Sequence, residues 1–361
     1  MKNGILFIGK EFSINRAFCD YLSREAQKRL WHIDSLHYLS EKDKDLLFVI
    51  SEAFKYFDNT LIVTSTKSYP TASKIVATLF EDNLVATPSG LIPSKATKVT
   101  QDSFLIGSDH LINLIKADPT KSLPPILLES SDEVASLYLF DTSPKKIDQI
   151  LQPLAASYNI DYHTTKITAQ LYQIHAQNKR YGDLGMFLQN AKLMLPKNVI
   201  VAHNIFAHLI DRLSQLQKSV TFAESCTGGL LASMLTQVPG SSAVFDGSVV
   251  TYSNQIKHRW LGVREQTLQT YGAVSEETVQ EMLQGALALA QAHFAIAISG
   301  IAGPTGATPT KPVGTVVVGA GDGDGQIVRT MHFEGDRNYI QYQAAMYGIK
   351  LLYELASDEL F

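Results

Sequence analysis

An α/β chain of several domains is what the sequence predicts, and three observations carry that reading. Short apolar runs of strand length alternate with longer stretches of helical periodicity. The 361 residues exceed the roughly 100–200 that one ordinary domain uses. Glycine and proline are unevenly shared: 17 of the 23 glycines lie beyond residue 204, whereas 9 of the 13 prolines lie before it. The two ends are therefore built differently.

Residues 4–9, Gly-Ile-Leu-Phe-Ile-Gly, form a short apolar strand, and 13–30 follow with helical spacing. A second strand, Thr60-Leu61-Ile62-Val63, precedes a helix over 71–80. Strand, helix, strand, helix predicts a three-layer α/β domain over 1–122. The run 117–126 reads as a linker, because Pro124 and Pro125 force extended backbone on their neighbours. Over 123–197, a strand at 135–140, a helix at 145–156 and a polar-aromatic strand at 161–168 predict a small α+β middle module with no reactive cluster. From Asn198 a helix carrying Ile205, Leu209 and Leu213 opens the third domain, 198–361. There a strand at 220–223 runs into Glu224-Ser225-Cys226-Thr227-Gly228-Gly229 and a helix through Leu235. A strand at 248–252 follows, then a helix at 275–293 with Ser275 as its N-cap and a strand at 294–298. A strand at 314–319, a Gly/Asp turn at 321–325, a strand near 327–333 and a helix over 337–355 complete an α/β/α domain. Sheets of this kind gather their ligands at the loops that follow strand C-termini.

Composition narrows the function classes. Lys plus Arg number 31 against 35 for Asp plus Glu, a net charge of −4 with no dense basic block, which disfavours direct nucleic-acid binding. No apolar run approaches the ~20 residues needed to cross a bilayer, so no membrane span is expected. Cys19 and Cys226 lie far apart and no secretory leader opens the chain, so the default expectation is a cytoplasmic protein without disulfides.

The glycine-rich third domain holds the chemistry. Ser225 sits where an apolar strand meets a glycine-bearing turn that opens a helix, a place where unpaired N–H groups can hold a developing oxyanion. It fits two roles, nucleophile or helix cap, and on spacing alone the cap prevails. The loop Thr251-Tyr252-Ser253-Asn254-Gln255-Ile256-Lys257 supplies a phenol and an amine five positions apart. A desolvated amine loses its proton more easily and can take one from a serine, yet Lys257 also fits a solvated surface and Tyr252 a strand-end core contact. Ser299-Gly300-Ile301-Ala302-Gly303-Pro304-Thr305-Gly306 lets backbone approach a ligand closely, without the lysine of a P-loop. Arg337, at the start of the last helix, offers a fixed cation or a solvated one. No metal site emerges: His203 and His208 are five apart, off the i, i+4 face, and Asp322-Gly323-Asp324-Gly325 lacks the closing glutamate of a calcium loop. No cofactor is implied either.

Taken together, Ala223-Glu224-Ser225-Cys226-Thr227-Gly228-Gly229, Val238-Pro239-Gly240-Ser241-Ser242, Tyr252-Ser253-Asn254, Lys257, Gly272-Ala273-Val274-Ser275, Gly300-Ile301-Ala302-Gly303-Pro304, Lys311-Pro312-Val313-Gly314-Thr315 and Gly335-Asp336-Arg337 resemble the C-terminal domain of the CinA family, the nicotinamide mononucleotide (NMN) amidohydrolases. The resemblance implies hydrolysis of the NMN carboxamide to nicotinate mononucleotide and ammonia. It assigns Ser225 as nucleophile, with Lys257 and Tyr252 handling protons. Substrate would be held by Cys226, Thr227 and Gly228 of the turn, by Ser299, Gly300, Ala302 and Gly303 of the second loop, and by Arg337. A symmetric homodimer is the family precedent. The resemblance also implies an N-terminal domain similar to molybdopterin-binding proteins, in some members a metal-dependent ADP-ribose pyrophosphatase. Here its opening Gly-Thr-Glu stands as Gly9-Lys10-Glu11, and its glycine-rich loop with paired aspartates as Ser65-Thr66-Lys67-Ser68-Tyr69-Pro70-Thr71-Ala72-Ser73. Without those carboxylates, no pyrophosphatase activity is expected. A non-enzymatic binding role tied to competence or DNA damage is the remaining alternative.

Overall fold

Every residue of the strand Asn3–Ile8 is buried, as a sheet covered by helices on both faces requires. In the computed structural model, which describes residues 1–88, 90–130, 133–195 and 197–361, the chain forms two compact units, Met1–Asp132 and Glu133–Phe361. In the first unit Ile5 and Phe7 share a core with Leu22 and Leu30 of the helix Arg16–Leu30. Leu6 and Ile8 point the other way, toward Ile50 of the helix Leu46–Tyr56 and Val76 of the helix Tyr69–Leu79. The result is the expected three-layer α/β arrangement. Its six strands run in the order Ser35–Leu39, Asn3–Ile8, Asn59–Thr64, Leu111–Lys116, Ser103–Ile106, Lys98–Thr100, the first four parallel and the last two antiparallel.

Two local differences from the sequence reading have clear causes. The helix expected over 13–30 is two, Lys10–Ile14 and Arg16–Leu30, because Asn15 between them accepts the Phe18 N–H and restarts the helix. The stretch 117–126, where the sequence predicts a linker, belongs to the first unit: Ile126 and Leu128 are buried in its core, and the unit runs to Asp132 rather than to 122.

Residues 133–195, expected as a separate middle module, belong to the same compact unit as the third domain. In this second unit the antiparallel sheet, in the order Ile160–Thr168, Leu171–Asn178, Val134–Phe140, Val199–Val201, carries two helices, Pro144–Tyr158 and Leu184–Met194, on one face. Leu137 and Leu139 serve that face, while the alternate residues Tyr138 and Phe140 serve the other. That second face is covered by the helices Ile205–Leu216 and Arg337–Leu355. Lys350, fully buried, pairs with Asp141 and Glu354 at this seam. The helix expected from Asn198 begins only at Ile205, where Asn204 accepts the N–H groups of Phe206 and Ala207; Val199–Val201 is instead an edge strand.

The remaining sheet has the order Ser248–Val250, Val220–Glu224, Phe294–Gly300, Thr315–Gly321, Gln326–His332, parallel across the first three and antiparallel beyond. Helices cover both faces, with Arg337–Leu355 on one and Glu276–Ala290 on the other. The C-terminal helix approaches this sheet so closely that a Cβ on Gly348 would lie 2.7 Å from Ile296. No helix among the described residues is long and apolar enough to cross a membrane.

Candidate active site

The strand Val220–Glu224 ends in a turn that needs left-handed backbone at Gly228 (φ 63°) and Gly229 (φ 97°), which glycine adopts without strain. The helix Leu230–Thr236 follows. Its capping group is neither Ser225 nor Thr227 but Glu224, fully buried, whose carboxylate accepts the N–H groups of Gly229 (3.1 Å), Leu231 (3.1 Å) and Ala232 (3.0 Å). Ser225 is thereby released from capping. The Ser225 N–H donates to Ile298 O, that of Gly228 to Ser225 O, and that of Leu230 to Thr227 O. Along this turn the N–H groups of Cys226 and Thr227 alone have no acceptor among the described residues. Glu224→Ala is expected to leave three donors unsatisfied and to lower the stability of the second unit by about 3 kcal/mol, read by denaturant titration, with Glu224→Gln costing less because its amide oxygen still accepts.

Lys257 reaches Ser225 from a helix where the sequence predicts a loop. Ser253 accepts the Ile256 N–H and starts the helix Asn254–Leu261, and Gly262 ends it in left-handed conformation. Lys257 and Leu261, one turn apart, form its buried face. Lys257 is 1% exposed, and its Nζ lies 2.9 Å from Ser225 Oγ, 2.7 Å from Thr251 O and 3.4 Å from Tyr252 O. Burial pulls its pKa down from 10.5 to about 8.

These groups open into a cavity of about 310 Å3. Ser225, Cys226, Tyr252, Lys257 and Arg337 line it, together with Ser299, Gly300, Ala302 and Gly303. Gly300 permits the close approach of the neighbouring strand, since a Cβ there would sit 2.8 Å from Val316 Cα. The Ser299 hydroxyl is committed, donating to Ala273 O at 2.7 Å. Arg337 donates to Gly303 O (2.8 Å) and to the Tyr252 hydroxyl (3.2 Å), so its guanidinium is held at the rim beside a phenol that is 63% exposed. Cys226 is buried, which pushes its thiol up to about 12 and keeps it protonated. Of the residues the sequence brought forward, Thr227 and Gly228 do not line the cavity; they belong to the turn behind it. Ile301, Thr305 and Gly306 of the same small-residue loop, with Ala273 and Val274 of the Gly272–Ser275 motif, complete the wall; the sequence brings these motifs forward without naming these five as substrate-binding.

In the first unit, Gly9-Lys10-Glu11 and the segment 65–73 meet at neighbouring strand ends. The Ser68 hydroxyl donates to Ile8 O at 2.6 Å and itself accepts the Ser65 N–H at 2.9 Å. A divalent cation favours several oxygen ligands with carboxylates among them, and 65–73 supplies hydroxyls beside Lys67 and no carboxylate. These residues do not fit such an ion.

Comparison with known proteins concerns mainly the second unit. The model of the CinA C-terminal domain matches residues 202–356. A CinA-like protein of Thermotoga neapolitana is 51% identical over 144 residues, 40% of this chain and 35% of that protein. A CinA-like protein of Endomicrobium trichonymphae is 36% identical over 229 residues, 60% of this chain and 54% of that one. The chain thus spans about a third and about half of these relatives' lengths. The nicotinamide-nucleotide amidohydrolase PncC of Enterobacter agglomerans is 52% identical over 132 residues, 36% of this chain and 80% of that enzyme. With that coverage and the matched domain, the chain belongs to the CinA family.

Proposed function

We propose that this chain hydrolyses the carboxamide of nicotinamide mononucleotide to nicotinate mononucleotide and ammonia. The observation that carries the reading is a buried lysine 2.9 Å from a serine hydroxyl at the base of a small cavity. The segment around it is 52% identical to a protein named for this activity. A neutral Lys257 has two N–H groups, which Thr251 O and Tyr252 O can accept, and one lone pair left for the Ser225 proton. Ser225 Oγ then attacks the carboxamide carbon while Lys257 takes its proton. The oxyanion is met by the N–H group of Cys226, the turn residue that lines the cavity beside Ser225. Collapse expels ammonia, protonated by Lys257 directly or through Tyr252, and leaves an acyl-serine. Water, deprotonated by Lys257, releases the carboxylate and restores the hydroxyl. The Arg337 guanidinium at the rim suits the anionic end of the substrate.

Incubating the purified chain with NMN tests this directly: ammonia and nicotinate mononucleotide are expected in equal amounts, also in EDTA, since every step uses groups of the chain. Failure to release ammonia overturns the reading. Only the neutral amine can act as base, so kcat/KM should climb about tenfold per pH unit below a midpoint near pH 8 and level off above it. A flat profile from pH 6.5 to 9 would remove Lys257 from that role.

A further inference from the structure

One wall of the cavity, Ala273 and Val274, belongs to the segment before the helix Glu276–Ala290, and the facing rim, Thr305 and Gly306, to the loop between the strands Phe294–Gly300 and Thr315–Gly321. From Thr305 to Thr310 that loop is exposed at every residue and buries no apolar side chain that would fix it. What crosses from loop to wall is Lys311. Its Nζ donates to Val274 O at 2.7 Å and to Tyr271 O at 3.0 Å, while its own N–H donates to the Thr308 hydroxyl at 3.0 Å. Both acceptors are main-chain carbonyls, so the bond fixes backbone against backbone. The Ser299 hydroxyl pins Ala273 O between those two carbonyls from the sheet side. Arg337 secures the opposite end of the loop through Gly303 O. Lys311 does not line the cavity and touches no group that takes part in the chemistry.

We propose that Lys311 is a positioning residue for the amide hydrolysis put forward above: its ammonium straps the 302–314 loop to the 271–274 wall and sets the width of the cavity mouth. The proposal rests on that reading of the site but makes a separate structural claim. An ammonium on two carbonyls is a charge-assisted link, and misplacing a substrate-holding wall by even an ångström weakens productive binding. The strap acts on the mouth and leaves the Ser225–Lys257 pair at the base intact, so its loss should appear in KM rather than in kcat.

The experiment compares Lys311→Met and Lys311→Arg with the wild-type chain. For NMN, Lys311→Met is expected to raise KM about tenfold with kcat within twofold, and the pH midpoint of kcat/KM should not move. Lys311→Arg, which keeps a charged donor long enough to reach a carbonyl, should recover most of the KM. Amide hydrogen exchange over 301–314 should quicken at least tenfold in Lys311→Met and stay near wild type in Lys311→Arg, with exchange in the strand 220–224 unchanged as a check on folding. An unchanged KM in Lys311→Met, a fall in kcat at constant KM, or unaltered exchange over 301–314 would each overturn the proposal. If the wild-type chain releases no ammonia from NMN, the amidohydrolase reading fails, and the exchange measurement still decides whether the strap exists.

Discussion

Ser225→Ala should abolish ammonia release from NMN, lowering kcat by roughly a thousandfold or more while leaving KM close to wild type. The substitution removes one oxygen and little else. The turn that carries residue 225 is held by the Glu224 carboxylate on Gly229, Leu231 and Ala232 and by the Ser225 N–H on Ile298 O, none of which involves the hydroxyl. The melting temperature is therefore expected to stay within a few degrees, so lost turnover reports chemistry rather than unfolding. Serine and lysine act as a unit in the proposed cycle, and the double variant Ser225→Ala, Lys257→Met should be no slower than the worse single one. Turnover by Ser225→Ala within tenfold of wild type would exclude the serine as nucleophile. Additive losses in the double variant would separate the two side chains into independent roles.

Sequence patterns reached those parts of the molecule whose cause is local. The helix Arg337–Leu355 has the expected bounds, and its start has a local cause, since Asp336 next to a glycine accepts the Tyr339 N–H. The helix Asn254–Leu261 was missed because eight residues are too few for periodicity to register. Its signal was the pair Ser253 and Gly262, a cap and a stop, which would have put Lys257 on a buried helical face instead of in a loop. Glu224 gave no sequence signal as a cap, since its three donors lie five to eight residues onward and across a turn that only the glycine pair permits. The same holds for the packing of Tyr138 and Phe140 against a helix about two hundred residues later: alternation announces a second apolar face but not what covers it. The approach of Ser225 to Lys257 is a tertiary fact of this kind, produced by two adjacent parallel strands, Val220–Glu224 and Ser248–Val250, ending side by side.

Lys257→Met should be inactive and yet, at pH 7, no less stable than the wild type. In the fold the amine's pKa stands at about 8 against 10.5 outside it. Between these values the folded state binds fewer protons than the unfolded one, so wild-type stability rises with pH across the window, by about 3 kcal/mol in total. Below pH 8 both states hold the proton and the whole desolvation penalty is present. Methionine removes that penalty and keeps most of the side-chain volume, but leaves Thr251 O without its donor, at about 1–3 kcal/mol. The two effects nearly offset at pH 7. At pH 10.5 only the lost hydrogen bonds remain, and the wild type should be the more stable by about 1–3 kcal/mol. The order of the two proteins therefore shifts with pH, which no loss of packing alone would produce. Trp260 lies on the same helix as Lys257 and reports its unfolding by fluorescence, most cleanly in a Trp31→Phe background. Parallel stability curves from pH 7 to 10.5 would show that Lys257 is not held with a depressed pKa, and with that the base in the proposed cycle would be lost. Lys257→Arg supplies the complementary control: guanidinium keeps its proton throughout this range, so it should be as inactive as methionine.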